Sequence, residues 1–296
     1  MVKKILANCY IYLIMLIIYL PVLYLIVYSF TSSTILGQWS GFTFSLYGKL
    51  FRNKEVMSAL ANTLIIAAIA AALSTLIGSL GAIGIFYCKK GFRVFIENIN
   101  QIPVVNAEIV IAMSLTVMFV FIGNHFFGGQ ALFSFWTLLI GHCCLAVPFV
   151  YLNVKPKLQQ MDPALYEAAL DLGCSPNKAL HKVIIPQIMP GIFSGLLLSF
   201  TLSLDDFIVT AFTRGSGLLS GTSQIETLST LVQAKIKKGA VPAEMRALTT
   251  IIFLIVLAIV VGYSVFINIQ SKKDRKGFIG THAKRRNTYH VTTPLD

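Results

Sequence analysis

The chain has 296 residues, 56% of them hydrophobic and only 12% charged, with a mean hydropathy of +0.76 and a formal net charge of +12. A soluble domain carries about 25% charged residues, so this composition excludes an ordinary water-soluble globule and points to lipid as the solvent. The cations fall in short stretches between apolar runs, which argues against a nucleic-acid-binding face.

A membrane-spanning helix needs about 20 mostly apolar residues. Segments 9–30, 60–87, 102–123, 131–152, 192–213 and 247–269 meet that requirement, so the predicted fold class is an all-α polytopic membrane protein with six transmembrane helices. The first follows Met1-Val2-Lys3-Lys4 and stays apolar to Phe30. It is too long for a signal peptide and no small-residue cleavage site follows, so it is predicted to be a retained helix, kinked or broken at Pro21. The second is rich in Ala and Gly (Ala67-Ala68, Gly78-Ser79-Leu80-Gly81), a composition that lets helices approach closely inside a bundle.

The third span carries Glu108 after Pro103, and the fourth carries His142-Cys143-Cys144. That trio has no second ligand cluster and reads as a packed helix interior, with no metal site expected. The five cysteines (Cys9, Cys88, Cys143, Cys144, Cys174) show no disulfide framework or CxxC spacing and read as reduced thiols. The fifth span holds Asp205-Asp206-Phe207 inside an apolar run. Intramembrane acids are expensive and usually face a pathway or a cationic partner, so Glu108, Asp205 and Asp206 suit a cationic cargo; pairing with a base or capping a broken helix is the alternative. Trp39, Tyr47 and Phe207 are candidate cation–π partners.

With the N-terminus in the cytoplasm, 16 Lys and Arg lie inside and 8 outside, the sense of the positive-inside rule. Both termini are then cytoplasmic, the loop 153–191 is cytoplasmic, and the loop 214–246, with Lys235, Lys237 and Lys238, is external. The tail 271–296 is polar and basic. No GxxxxGK[ST], HExxH or GxSxG motif occurs, so this chain is not expected to be an enzyme or to bind a cofactor of its own.

In the cytoplasmic loop, Asp162 is placed to cap a helix with Pro163 in its first turn, running through Glu167, Ala168, Ala169 and Asp171 to a C-terminal turn at Gly173. Ser175 is placed to cap a second helix that stops before Pro186. The pattern Glu167-Ala168-Ala169, three residues, Gly173, then Ile184-Ile185-Pro186 resembles the EAA loop of binding-protein-dependent ABC importer permeases. The resemblance implies the type I importer permease fold. It also implies that Glu167, Ala168, Ala169, Asp171, Gly173 and Pro186 form a joint with a separate ATPase chain, which would use the ATP and Mg²⁺.

A narrower resemblance covers the chain to about Ile269. The stretches Tyr28–Ser33, Trp39–Thr43, Glu108–Leu115, Ser199–Val209 and Lys237–Thr250 are similar to those of the second permease subunits of spermidine/putrescine importers. Asn106-Ala107-Glu108 replaces the Ser-Pro-Asp of that family, and Leu46-Tyr47 its Trp-Tyr. The resemblance implies a polyamine importer of the bacterial inner membrane, with a second permease subunit as heterodimer partner, an ATPase dimer and an external polyamine-binding protein. It divides the chain into 1–56 (first helix and external loop), 57–270 (permease core) and 271–296 (basic tail). The alternatives are an ABC permease for another solute, such as iron or an organic cation, or a stand-alone channel or secondary carrier. An intramembrane enzyme lacks a nucleophile–base pair.

Overall fold

The computed structural model describes residues 2–33, 38–128, 132–162, 164–215, 224–238, 243–258, 261–262 and 265. In chain order the helices are α1 (Val2–Tyr28), α2 (Ser45–Arg52), α3 (Lys54–Phe86), α4 (Lys90–Val105), α5 (Glu108–Phe126), α6 (Phe135–Gln160), α7 (Ala164–Asp171), α8 (Pro176–Ala179), a π-turn at Leu180–Ile184, α9 (Ile185–Asp205), α10 (Ile208–Thr213), α11 (Leu228–Lys237) and α12 (244–258). Among the described residues there is no extended strand, and Thr31 pairs with Phe42 in an isolated bridge. The fold is all-α, and five stretches are long and apolar enough to cross a membrane: Asn8–Tyr28, Lys54–Phe86, Glu108–Phe126, Phe135–Gln160 and Pro176–Asp205.

Two of the expected spans need correction. The third does not begin at residue 102. Residues 90–105 form the separate amphipathic helix α4, Asn106 and Ala107 are extended, and the span starts at Glu108. The fifth does not run unbroken from 192 to 213. It begins far earlier, stops at Asp205, and α10 follows after a break. The first is continuous through Pro21, so the chain is not broken there. The sixth expected span, 247–269, begins within α12, and much of the remainder lies outside the described residues, as does the tail 271–296.

The contacts divide the chain into two compact units. One contains the described residues up to Arg52 and those after Pro242, the other Asn53–Val241. In the first unit, α1 buries none of its described side chains within the chain. The segment after it folds back: Thr43 N–H donates to the Phe30 carbonyl at 2.7 Å, and the rings of Phe30, Phe42, Phe44 and Tyr47 pack together. Arg246 of α12, itself buried, donates to the carbonyls of Tyr28 and Ser33 and ties α12 to the end of α1.

The second unit is built on α3, α6 and α9, which pack on one another. At 33 residues, α3 is about 50 Å long. Small residues explain the close approach, as the composition predicts. Ala67, Ala70, Ala71 and Gly78 of α3 are buried, and a Cβ added at Gly78 would lie 2.8 Å from Val150 Cβ of α6. From the other side, Gly195 of α9 would bring a Cβ within 3.2 Å of Val150 Cγ1. Val150 is thus clamped between two glycines on branched atoms that cannot swing away. Gly78→Ala is expected to cost about 1–3 kcal/mol through overpacking. The lowered melting temperature of the purified protein is the measurement.

Candidate functional site

Two regions collect the polar chemistry. The first is the pair of helix breaks. The break between α4 and α5 leaves Glu108 at the first position of α5, where the helix dipole favours an acid. The break between α9 and α10 falls at Asp206-Phe207. The two sites are neighbours, because α10 packs on α5 and on α6. Ile111 and Ala112 of α5, Leu145 of α6 and Val209 of α10 share a small core, and Thr116 Oγ1 of α5 donates to the Phe212 carbonyl at 3.1 Å.

The three acids do not share one environment. Asp206 is only 6% exposed. Its Oδ1 accepts the Val209 N–H at 3.2 Å, and its Oδ2 accepts the Thr210 N–H and the Thr210 hydroxyl, both at 2.8 Å. It therefore caps α10, satisfying N–H groups that a helix start leaves without partners. His142 Nε2 of α6 lies 3.6 Å from the same Oδ2. The Asp206 carbonyl accepts from Ser229 Oγ at 2.6 Å, which fastens α11 to the break. In turn α11 is fixed to α3: Thr63 Oγ1 accepts the Leu228 N–H at 2.8 Å, and Asn62 Nδ2 donates to the Glu226 carbonyl at 3.0 Å. Asp205 and Glu108, by contrast, are exposed at the surface of the chain, and Phe207 is half-buried. Trp39 and Tyr47 belong to the first unit. Trp39 is exposed and meets the Tyr28 ring edge-on, while the Tyr47 hydroxyl is 2.9 Å from Ser29 Oγ.

The second region is the loop 161–184. Helix α6 runs to Gln160, so the connection is shorter than the expected 153–191. Asp162 Oδ1 accepts the Ala164 N–H at 3.0 Å and so caps α7, while Pro163 lies outside the described residues. α7 ends in a Schellman turn. Cys174 N–H donates to the Ala169 carbonyl, Gly173 N–H donates to Leu170, and Gly173 has φ +84, a conformation that glycine adopts without strain. Ser175 occupies the N-cap of α8, but its side chain makes no capping bond.

Pro186 does not stop the helix. The π-turn widens the backbone, Ile185 N–H reaches back to the Leu180 carbonyl, and the helix continues through Pro186 into α9. The wider turn accommodates a residue that lacks an N–H and would crowd the carbonyl four residues earlier. Glu167, Ala168, Asp171, Gly173 and Pro186 are exposed, whereas Ala169 is buried against the chain itself. Sequence reasoning missed Leu172, which is 85% exposed at the tip of the protrusion.

The protrusion has a firm base. Ala82, Ile83, Val150, Tyr151, Val154, Leu158, Ile184 and Ile188 form a core beneath it, and the Tyr166 ring of α7 packs on Tyr87 at 5.6 Å. Glu97 of α4 was also not singled out in the sequence. Its carboxylate accepts from Arg93 Nε at 3.1 Å and the Tyr151 hydroxyl at 3.0 Å, and lies 3.0 Å from Lys155 Nζ, so it docks α4 on α6. Burial disfavours the Glu97 charge, but hydrogen bonds from Lys155, Arg93 and Tyr151 outweigh it and lower its pKa below the ordinary 4.5. A carboxyl depressed on folding stabilises fully above its unfolded value and loses that contribution as pH falls through the folded one. The wild-type melting temperature is therefore expected to drop below about pH 4.5 more steeply than that of Glu97→Gln. Parallel pH–melting curves test this.

Comparison with known proteins agrees with this architecture. Residues 74–275 match the model of a family described as the binding-protein-dependent transport system inner membrane component. The spermidine/putrescine transport system permease protein PotC of Escherichia coli K12 is 34% identical over 244 residues, 82% of this chain and 87% of that protein. PotC of Haemophilus influenzae is 33% identical over 256 residues, covering 86% and 94%. The putrescine transport system permease protein PotI of Escherichia coli K12 is 35% identical over 240 residues, covering 79% and 81%. Among solved structures, a bacterial ABC transporter that imports the polysaccharide alginate superimposes with a TM-score of 0.63 at 18% identity, over 89% of this chain and 95% of that one. Apolar spans, the Glu-Ala-Ala protrusion, the family match and these relatives agree: the chain belongs to the binding-protein-dependent inner-membrane family, as a transport permease subunit of an ABC importer.

Proposed function

We propose that this chain forms half of the translocation pathway of an ATP-driven polyamine importer. The observation that carries the reading is the placement of Glu108, Asp205 and Asp206 at two helix breaks joined by the packing of α10 on α5, in a chain similar to polyamine permeases. Exposed Glu108 and Asp205 are the acids that meet the cargo amines, and buried Asp206 supports them. Phe207 lines the same break, and Trp39 and Tyr47 are further candidate partners for a cation.

The remaining assembly follows the same reading. The protrusion at Glu167–Gly173, with Leu172 at its tip, seats in a separate ATPase that binds ATP and Mg²⁺. A second permease subunit completes the pathway, and an external polyamine-binding protein delivers the cargo. The ATPase side is cytoplasmic, as are both termini. An alginate transporter of the same fold has been solved in complex with an alginate-bound periplasmic protein, which supports delivery by a partner.

The test is uptake of radiolabelled spermidine by cells whose own copy of this subunit is deleted and replaced. Spermidine and putrescine are expected to compete with the label, and iron or amino acids are not. Glu108→Gln with Asp205→Asn is expected to raise KM by about tenfold or more, the worth of a charge-assisted hydrogen bond. Wild-type KM in that double variant overturns the cargo role of the acids.

A further inference from the structure

His142 lies in the N-terminal third of α6 and is only 2% exposed. Both ring nitrogens have partners, and the partners sit on opposite sides of the helix break. Nδ1 is 2.7 Å from Ser203 Oγ in α9, and Nε2 is 3.0 Å from Thr210 Oγ1 in α10. The direction of the second bond follows from proton accounting. The Thr210 hydroxyl has one proton and donates it to Asp206 Oδ2 at 2.8 Å. An oxygen whose proton is committed can only accept from the ring, so Nε2 carries a proton. Nδ1 faces a hydroxyl that bonds in either sense. The chain of bonds therefore reads Nε2–H to Thr210, Thr210 to Asp206, with Asp206 also holding the backbone N–H groups of Val209 and Thr210.

This arrangement does more than fill space. A helix break has no ladder of its own to set the angle between its two halves. Here one rigid ring holds the last turn of α9 and the first turn of α10 at once. Asp205 closes α9, and α10 packs on α5, whose first residue is Glu108. Any change in the angle of α10 moves the two exposed acids relative to each other.

We propose that His142 is a positioning residue for cargo recognition. Its Nε2–H holds Thr210 and, through the Thr210 hydroxyl, Asp206; with Nδ1 at Ser203 it fixes the break between α9 and α10, and so sets the spacing of Asp205 and Glu108. The inference rests on the reading of those two acids as cargo ligands. It gives His142 no direct contact with cargo.

The experiment measures KM and Vmax of spermidine uptake, with membrane-inserted protein quantified, in cells carrying the full transporter. The variants are His142→Leu, His142→Gln, His142→Asn, Thr210→Val and Asp205→Asn. His142→Leu leaves the Thr210 hydroxyl without its donor and frees α10 from α6, and it is expected to raise KM about tenfold. Glutamine places an amide N–H where the imidazole Nε2 stands and is expected to restore KM to near wild type. Asparagine reaches only the Nδ1 position and is expected to behave like leucine. Thr210→Val, which removes the acceptor, is expected to match His142→Leu.

A merely structural histidine would lower Vmax in step with the amount of inserted protein, with Gln and Asn alike. That pattern overturns the proposal. Unchanged KM in His142→Leu beside a raised KM in Asp205→Asn overturns the positioning role and leaves the acids as ligands. Unchanged KM in both overturns both. Should His142→Leu fail to reach the membrane, the Gln and Asn pair decides by the same criterion.

Discussion

Asp206→Asn is expected to lower uptake by about ten- to a hundredfold, the effect of leaving one or two buried donors without an acceptor. The carboxylate accepts three donors: two backbone N–H groups and the Thr210 hydroxyl. An asparagine offers one accepting oxygen, and its amide nitrogen then faces a donor. One start-of-helix N–H of α10 loses its partner, and the cap weakens. Because Asp206 is buried, this loss combines a lost charge with a loosened break. Asp206→Ser separates the two, since serine retains capping capacity without charge. If charge near the pathway is what matters, serine transports no better than asparagine. If the cap is what matters, serine recovers much of the uptake. Full uptake by Asp206→Asn, at matched protein level, would remove Asp206 from any role in transport.

Glu167→Arg is expected to reduce uptake by at least about a hundredfold while ATP hydrolysis by the assembled transporter persists. That factor corresponds to about 3 kcal/mol, within the range for placing like charges across an interface. Glu167 is exposed on α7, so the substitution leaves the chain's own packing intact. Leu172→Ser provides the apolar counterpart. Leu172 is exposed at the tip of the protrusion, and its loss is expected to weaken co-purification of the ATPase without changing the melting temperature of this subunit. Wild-type coupling in Glu167→Arg, together with undiminished co-purification of Leu172→Ser, would mean that the ATPase grips elsewhere.

The placement of the acids shows where reading a sequence stops. Asp205 and Asp206 are neighbours in an apolar run, and their helical offset predicts that they point different ways. Which one faces outward is decided by Thr210 and His142, bonded to each other although 68 positions apart in the chain. Nothing at Asn106-Ala107 marks a stop, since neither residue is a proline or a glycine, and the break there moved the third span from residue 102 to Glu108. Pro186 looked like a terminator because proline lacks an N–H. A π-turn upstream absorbed that defect, a choice made by the packing of Ile184 and Ile188 into the core beneath the loop.

From the sequence alone, apolar length established a helical membrane protein, and the Glu-Ala-Ala pattern with Gly173 established the protrusion and its kinship. Both are local properties: the length of a hydrophobic run, and a turn that needs a residue at positive φ. Only the tertiary structure decided that Ala169 packs inward, that Leu172 stands out, that Glu97 docks α4, and that His142 ties the two halves of a broken span. Those outcomes depend on which distant side chains arrive within 3 Å or so of each other, and a buried hydrogen bond of that reach carries no periodic signature along the chain.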